Sequence, residues 1–460
     1  VYAVWALVTV ASLVLLGALL TDDFRFAYVA SNSNRSLAVA YKFAAWWGGQ
    51  EGSLLFWNFV LATYAVLVVR RRRVLTPWVT ATLMATQCFF LLLNAFVASP
   101  FRMLAVGRGI TEVPDGTGLN PLLQHWAMTI HPPVLYLGYV GFTVPFAFAL
   151  ASLVTRQPGH DWIHITRRWT IITWLFQSAG ILLGAAWAYA VLGWGGYWGW
   201  DPVENASLLP WLTATAFLHS VMMQERRGMM KIWNVVLISC TFLLSILGTF
   251  LTRSGVVSSV HAFGKSPLGT YFVVFLLVAL ALTTYLIVSR LNYLKPEARL
   301  ESVISRESSF LLVNLLLLGI ALVILLGTIF PALSEAIRGT TVALDASFYI
   351  RVSAPLLVAL FALLGICPLS SWGDTPPSRI YRRLGVPLLL ALLATGGLFA
   401  LGVRHPFALL SYALCALISI LILARFLRDG LARQRRTRAS YLQSLATAFR
   451  ESHRRYGAHL

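Results

Sequence analysis

Long apolar runs alternate with short polar connections along almost the whole chain. A run of about 18–22 apolar residues is long enough for a helix to cross a hydrocarbon layer of about 30 Å. The runs predict spans at 1–20, one ending at residue 69, 78–98, 134–154, 170–192, 202–224, 231–251, 270–287, 310–330, 354–370, 386–402 and 406–424. A further span begins near Tyr456. We therefore predict an all-α polytopic membrane bundle of roughly a dozen or more transmembrane helices, forming a single domain over residues 1–460.

Composition and charge agree with this class of protein. With 58% hydrophobic and only 12% charged residues among 460, the chain does not belong to the soluble globular proteins. The net charge of +19 would suggest nucleic acid in a soluble protein, but the basic residues fall in alternate connections. This positive-inside pattern predicts a cytoplasmic N-terminus and needs no nucleic-acid partner. Residues 425–455 form a basic cytoplasmic segment before the further span.

The cysteines and the chain ends add little chemistry. Cys88, Cys240, Cys367 and Cys415 all lie in apolar runs without CxxC spacing, so we interpret them as small buried hydrophobic residues. The chain opens without a methionine and stops as another span begins, so we expect the natural protein to extend beyond both ends.

Aromatic residues are densest in the connection LGWGGYWGWDPVEN, residues 192–205. Trp194, Tyr197, Trp198 and Trp200 are interleaved with glycines, which let the backbone approach a flat ligand on which the rings can stack. An aromatic belt at the membrane interface is the alternative. A belt accounts for one or two aromatics at a span end, and less well for four spaced by glycines. The alternation of spans predicts this Trp-rich loop on the outer side.

Three other segments stand out in the sequence. They are YKFAAWWGGQEGSLLFW at 41–57, NPLLQ at 120–124 followed by HPPVLYLGY at 131–139, and LTRSGVVSSVHAF at 251–263. For the first, a glycine-broken interfacial turn is the alternative interpretation. The two prolines after His131 predict that a span begins near Val134. The outer loops 99–133, 193–204 and 252–269 are then expected to form one functional face that carries His131 and His261.

The Trp-rich loop resembles the WWD signature of the haem-handling membrane proteins of cytochrome c maturation. All four segments, in this order, are similar to the CcmF-type cytochrome c haem lyase family over nearly the whole chain. The resemblance implies a haem lyase of the holocytochrome c synthase type, active as part of a complex. It also implies a multi-pass protein of the cytoplasmic (inner) membrane of a prokaryote, with its functional face toward the periplasm. The reaction would be thioether attachment of haem to the CxxCH motif of apocytochrome c.

The resemblance implies a set of residues that bind haem. They are Trp46, Trp47, Trp194, Tyr197, Trp198, Trp200, Asp201, Glu204 and Arg253, with His131, His219, His261 and His459 as iron ligands. His131 and His261 would be the axial ligands of the outer haem, since two neutral imidazoles on opposite sides of a porphyrin give stable six-coordinate iron. A lone histidine at the membrane rim is otherwise a hydrogen-bonded surface residue. No residue is assigned a catalytic role beyond positioning haem.

His219 lies inside a predicted span, about 17 residues and therefore about 25 Å from Pro202. An ionisable residue at membrane depth predicts a functional site, although a structural histidine bonded across helices is the alternative. The resemblance implies a second, intramembrane haem b on His219, which would reduce the outer haem with electrons from quinol. The other ligand would be His459 or a residue beyond Leu460.

Two further side chains have structural alternatives. The run Asp-Pro-Val-Glu at 201–204 predicts a helix start with Asp201 as cap and Glu204 reaching back, which explains both carboxylates. Such a rigid start would also suit a carboxylate that orients an outer histidine through its second ring nitrogen. Arg253 would face either a haem propionate or the interfacial water.

The resemblance also implies the partners. They are apocytochrome c, a CcmE-type haem chaperone, CcmG/CcmH-type thioredoxin-like thiol reductants, quinol and membrane lipid. The chain has no exposed thiol for the reaction, so the substrate would supply the thiols and a partner would keep them reduced. A haem transporter or exporter is one alternative, but it needs a polar or aromatic path, and the spans after Phe310 are almost uniformly apolar. A non-catalytic assembly scaffold that binds haem in passing is the other.

Overall fold

The structure, a computed structural model, describes residues 1–71, 73–104, 113–156, 161–263, 266–437 and 440–451. These residues are mostly helical, and the only β-pairing among them is an isolated bridge between Phe26 and Met103. Among them, 12 helical segments are long and apolar enough to cross a membrane. The all-α, polytopic prediction is confirmed.

The helices are α1 (Tyr2–Leu20), α2 (Ala27–Asn32), α3 (Val39–Gly48), α4 (Gln50–Val69), α5 (Thr76–Leu92), α6 (Trp126–Gly141), α7 (Thr143–Val154), α8 (Asp161–Val191), α9 (Pro202–Arg227), α10 (Lys231–Ser254), α11 (Leu268–Val288), α12 (Arg306–Arg338), α13 (Ala346–Ile366), α14 (Pro377–Ala400), α15 (Pro406–Thr437) and α16 (Tyr441–Glu451). A π-helical turn extends α5 over Leu93–Val97. Short 3₁₀ turns occupy Pro121–Leu123 and Cys367–Leu369.

Several helices are longer than their apolar runs. α8 begins at Asp161, upstream of the predicted start at 170, and α15 continues through basic residues to Thr437. The hydrophobic pattern marks only the part of a helix inside the hydrocarbon layer, and arginine is itself a good helix former. Span number is therefore easier to predict than helix ends.

The backbone groups into two compact units. One comprises Val1–Arg299 and Leu317–Ser353, and the other comprises Leu300–Leu316 with the described part of Ala354–Leu460. The single transmembrane domain of the sequence analysis stays a prediction.

In the first unit, α6 packs along α8 and α9 packs along α10. The α6–α8 contact is close because Gly180 and Gly184, four residues apart on α8, have no side chains. A Cβ atom on Gly180 would lie 2.7 Å from the Leu135 Cα, and one on Gly184 would lie 2.7 Å from the His131 Cε1. This small-residue spacing lets two membrane helices approach closely. It also places the His131 ring directly against α8.

His131 lies inside α6, whereas the sequence predicted it just before a span. The helix begins at Trp126, capped by His125, whose Nδ1 accepts from the Ala127 amide (3.3 Å). Pro132 and Pro133 are thus helical residues. Proline cannot bond the carbonyl four residues back. Part of the compensation is visible: the Met128 carbonyl, which Pro132 leaves unused, accepts from the Trp47 indole at 3.4 Å.

In the second unit, α15 packs against both α14 and α16. Two backbone hydrogen bonds tie the segment after Cys367–Leu369 to the start of α12. Arg306 N donates to Ser371 O (3.0 Å), and Thr375 N donates to Ile304 O (3.0 Å). These contacts hold together one end of α12, α13 and α14.

Candidate functional site

Asp201 and Glu204 form the capped start of α9. The Val203 amide donates to Asp201 Oδ2 (3.0 Å), and the Asp201 and Gly199 amides donate to Glu204 Oε2 (3.3 and 2.9 Å). These bonds satisfy amide groups that the first turn of a helix otherwise leaves unpaired. The predicted helix start is confirmed.

Asp201 also holds His261. Its Oδ2 accepts from the Ser259 hydroxyl (2.6 Å) and from His261 Nδ1 (3.0 Å), and the Asp201 and His261 side chains are only 9% and 18% exposed. Burial by itself raises the pKa of Asp201, but the hydrogen bond and charge of His261, with the Ser259 and Val203 donors, leave that pKa below its usual value. The carboxylate therefore stays ionised and fixes the imidazole with Nδ1 as the donor nitrogen.

His131 is fixed in a similar way by a backbone group. Its Nδ1 donates to the Gly180 carbonyl oxygen at 2.8 Å. A carbonyl only accepts, so this nitrogen carries the proton and the lone pair of the neutral ring is on Nε2.

One face of α8 contacts both histidines. Gly184 lies against the His131 ring, and Trp187 makes an edge contact with the His261 ring at 5.3 Å between centroids. Residues three apart share a helix face. The Trp187 indole also donates to the Leu122 carbonyl of NPLLQ (3.1 Å). The structure thus brings together the two histidines that the sequence assigned to one outer face.

The Trp-rich loop folds back on itself at Gly199. A Cβ atom on Gly199 would lie 2.5 Å from the Trp194 ring, so only glycine lets this ring pack on the backbone. Trp194 also lies beside His261, with ring centroids 6.3 Å apart. Trp200 has a φ of +57°, which is uncommon outside glycine. The loop therefore places an aromatic ring next to a predicted iron ligand.

The other loop aromatics contact rings outside the loop or each other. Trp200 stacks on Tyr349 of α13 at 5.1 Å and 6°, and the exposed Tyr197 stacks on Tyr189 at 4.4 Å. Trp198 meets Trp200 edge-on at 6.2 Å, and its buried Nε1 has no acceptor among the described residues. An unpaired buried indole N–H is a donor that a ligand can use.

A cavity of about 460 Å³ opens beside this loop. Its lining comprises Trp194, Gly199, Trp200, Asp201, Pro202, Ser258, Ser259, Val260, Leu344, Asp345 and Ala346. Eight of these residues lie in the segments 192–205 and 251–263 that stand out in the sequence, whereas residues 344–346 lie outside them. Nothing in the local composition of that connection marks it, and only the fold brings it to the loop.

Trp46 and Trp47 are buried in an aromatic cluster. Both are less than a tenth exposed, and both pack against Phe43 and Phe56 with ring centroids 5.0–6.4 Å apart. Trp47 reaches α6 through its bond to Met128. Their binding of haem stays a prediction, and their described contacts are with protein groups.

Arg253 connects three of the four family-like segments. Its Nη1 donates to the Gln50 carbonyl (3.0 Å) and to Ser53 Oγ (2.9 Å), and its Nη2 donates to the Tyr136 hydroxyl (2.8 Å). The side chain is 1% exposed, so it does not reach interfacial water. Its described hydrogen bonds fasten α4, α6 and α10 together, and its contact with a propionate stays a prediction.

His219 lies on α9, away from the outer cluster. The helix is continuous from Pro202 to Arg227, as the depth argument requires, and His219 Nδ1 donates to the Thr215 carbonyl at 2.8 Å. Trp174 of α8 donates to the Thr215 hydroxyl (2.8 Å) and stacks on Trp211. His459 lies outside the described residues.

Trp187 is the main residue that the sequence analysis missed. It lies in the run GAAWAYA, where a tryptophan flanked by alanines was an available signal. Its 1% exposure and its contacts with both Leu122 and His261 place it at the centre of the site.

Comparisons with known proteins agree with the resemblance. A family model described as "Cytochrome C assembly protein" matches residues 47–261. The chain is 43% identical over 391 residues to "Cytochrome c-type biogenesis protein CcmF" of Pseudomonas aeruginosa, covering 83% of this chain and 58% of that protein. It is 41% identical to the Escherichia coli protein of the same name, covering 84% of this chain and 59% of that protein.

A solved structure gives the widest coverage of these matches. The structure named "Cytochrome c Heme Lyase CcmF" has a TM-score of 0.74 and 35% sequence identity, covering 97% of this chain and 68% of that one. By contrast, the chain spans less than two thirds of the length of the two curated relatives above. The residues matched by the family model, 47–261, include His131, the Trp-rich loop, His219 and His261.

Proposed function

Because this chain belongs to the cytochrome c assembly family, and within it to the CcmF-type proteins, we propose that it holds haem for attachment to apocytochrome c. The site would face outward from the cytoplasmic membrane, and the chain would act within a haem lyase complex. One observation carries the proposal. Gly184 and Trp187, on one face of α8, contact the rings of His131 and His261.

The iron-binding nitrogens and the hydrogen-bond donor of the site suit haem as a substrate. Both histidines have Nδ1 bonded to an acceptor, which leaves the Nε2 lone pair of each neutral ring to bind iron. The buried Trp198 Nε1 supplies a hydrogen-bond donor that suits a carboxylate, such as a haem propionate. Trp194 and Trp200 offer ring faces and edges to a flat macrocycle.

The chain's contribution would be positioning. His131 and His261 hold the substrate, Asp201 orients His261, and the Trp-rich loop limits how the ring can turn. Thioether formation adds a thiol across a vinyl C=C bond, sulfur to one carbon and hydrogen to the other, with no net oxidation. The four cysteines of this chain lie in helices or helical turns of the candidate spans, so apocytochrome c would supply both thiols.

A second haem, of b type, would be bound through His219. Its chemistry when bound is one-electron transfer, which would keep the outer iron ferrous with electrons from quinol. The Thr215 carbonyl fixes the His219 ring by accepting from Nδ1, and a helix-borne imidazole so held is a common haem ligand. A haem chaperone and thioredoxin-like thiol reductants would complete the complex.

Haem titration tests the outer site. The purified protein should bind added haem with a six-coordinate spectrum, and His131→Ala and His261→Ala should each abolish that form. His405→Ala is the matched control, because this histidine is exposed and contacts only Phe407 among the rings described. Added imidazole should restore the spectrum of His261→Gly. If both variants bind haem as the wild type does, the pair is not the ligand set and the scaffold function takes precedence.

The intramembrane haem has a separate test. The reduced-minus-oxidised absorption spectrum of the protein as purified should show a b-type signal that His219→Ala removes and that His131→Ala leaves in place. A well-folded wild-type protein that carries no such haem, even after reconstitution, would exclude the His219 assignment without touching the outer site.

A further inference from the structure

A cavity of about 320 Å³ lies in the second unit, far along the chain from the loops described above. Its polar lining is dominated by arginines. Among the described lining residues the charged ones are Arg306, Arg379, Arg383, Arg425, Arg428 and Asp429. We call this cavity the arginine pocket. With one carboxylate facing five guanidinium groups, its net charge is positive whatever pairs form inside it.

The arginines come from separate helix ends that meet on one side. Arg306 begins α12, Arg379 and Arg383 lie in the first turns of α14, and Arg425 lies beyond the apolar part of α15. All of these ends are on the side that the positive-inside pattern assigns to the cytoplasm. The sequence explained them only as topology signals, and the fold gathers them around one cavity.

Protein contacts orient two of these guanidinium groups. Arg306 Nη2 donates to the Ser370 carbonyl (2.6 Å), and its guanidinium lies over the Trp372 ring at 5.5 Å. Arg425 Nη1 donates to the Pro368 carbonyl (3.0 Å). These contacts fix the positions of the two guanidinium groups at the pocket.

Like charges are also crowded there. Arg383 is close enough to both Arg379 and Arg428 for mutual repulsion, which Asp429 offsets only in part. An anion placed among these groups would relieve the repulsion. Arginine suits phosphate in particular, because its planar fork can donate two parallel hydrogen bonds.

The apolar part of the lining is arranged by depth. Along one face of α15, Ile418 and Leu421 are followed one turn later by Arg425 and then by Arg428. Residues three or four apart share a helix face, so the pocket wall changes from apolar to basic over successive turns. This gradient runs from the hydrocarbon layer toward the membrane surface.

We propose that the arginine pocket binds the phosphate headgroup of an anionic membrane lipid. The guanidinium groups contact the phosphate, and the first part of an acyl chain lies along Ile418 and Leu421. Basic pockets between transmembrane helices on the cytoplasmic side suit such headgroups. The apolar wall distinguishes a lipid from free phosphate, which has nothing to place against it.

Lipid binding to the delipidated protein in neutral detergent tests the proposal. Native mass spectrometry would count bound phosphatidylglycerol and cardiolipin, with phosphatidylcholine and inorganic phosphate as separate arms. The pocket variant is Arg383→Gln with Arg428→Gln, two exposed lining residues. The charge-matched control is Arg382→Gln with Arg435→Gln, two residues that lie outside the lining and are also exposed.

Anionic lipid should bind the wild type and the control with the same affinity. It should bind the pocket variant about tenfold or more weakly, because charge-assisted hydrogen bonds to the phosphate are lost. Phosphatidylcholine should bind weakly, and inorganic phosphate should not displace the lipid. If both double variants lose the same amount of anionic-lipid binding, the binding depends on general surface charge, and the proposal is overturned. Displacement by phosphate at equal concentration would overturn the lipid assignment. The single variant Arg383→Gln gives the same test if the double variant does not fold.

Discussion

His131 and His261 contact the same face of α8 but are held by opposite kinds of support. His131 lies inside α6, and an uncharged backbone carbonyl fixes its ring. His261 lies on the connection after α10, and the buried carboxylate of Asp201 fixes its ring. One histidine is supported by helix packing and the other by electrostatics.

The difference predicts different behaviour. A carboxylate partner raises the basicity of an imidazole and stabilises positive charge on it or on a bound metal, which a carbonyl does only weakly. Close helix packing, in turn, leaves His131 little room to move. We therefore expect His131 to be the fixed ligand and His261 the adjustable one, and the following changes test that expectation from the largest effect to the smallest.

Arg253→Lys should have the largest effect, on the packing of α6, the helix that carries His131. The lysine ammonium cannot span the Gln50, Ser53 and Tyr136 acceptors, so we expect a loss of about 3 kcal/mol or more in unfolding free energy, since hydrogen bonds to charged groups contribute about 1.5–3 kcal/mol each. Thermal unfolding in detergent measures it. Arg102→Lys, at an exposed position, is the control. An unchanged unfolding temperature would mean that α6 does not depend on this network.

Gly184→Ala should act on His131 directly. The added methyl group would lie 2.7 Å from the ring, so either the ring turns or α6 moves, at about 1–3 kcal/mol for overpacking. We expect loss of the six-coordinate haem spectrum with the loop-held ligand still bound. Gly17→Ala is the helical control, since nothing lies within 4 Å of its added Cβ. A wild-type spectrum in Gly184→Ala would remove the evidence that helix packing sets the position of His131.

Asp201→Asn should weaken haem binding more than it weakens the fold. Asparagine caps helices as well as aspartate does, so the unfolding temperature should change little, while loss of the carboxylate partner should lower haem affinity about 10–100-fold. Asp201→Ala should show the same affinity loss and cost about 1 kcal/mol more in stability through the lost cap. Equal affinity in wild type and Asp201→Asn would contradict the electrostatic role.

The stability that the Asp201 carboxylate contributes should depend little on pH above about pH 5. Because the folded pKa of Asp201 lies below its unfolded value of about 3.9, its carboxylate contributes stability fully above that value and loses it as the pH falls through the folded pKa. The difference in unfolding temperature between wild type and Asp201→Ala should thus be constant from about pH 5 to 8 and shrink below about pH 4. A difference that varies near pH 7 would contradict the assignment of this stability to the Asp201 carboxylate.

The fold could largely be predicted from the sequence because each membrane span is marked by a local run of apolar residues. The capped start at Asp201 was equally local and is confirmed. Contacts between segments that are far apart in the sequence could not be predicted. That Asp201 would orient an outer histidine was anticipated, but its choice of His261, 60 residues away, depends on how two loops fold together.

His131 shows a different limit. Two prolines in succession normally mark a helix boundary, which is why the sequence predicts that a span begins near Val134. In the structure the helix continues through both prolines. The carbonyl that Pro132 leaves unused accepts a hydrogen bond from the indole of Trp47, which is far away in the sequence. Tertiary contacts of this kind leave no local pattern.

The single oxygen Oδ2 of Asp201 accepts from three donors, the Val203 amide, the Ser259 hydroxyl and His261 Nδ1. Any movement of His261 away from this oxygen therefore changes the cap of α9. In turn, fraying of the first turn of α9 weakens the hydrogen bond that holds His261. The two effects are reciprocal and share one coupling free energy. Local opening of a helix end is measurable by hydrogen exchange. The exchange rate of one backbone amide, that of Val203, thus reports on the freedom of a side chain some sixty residues further along the chain.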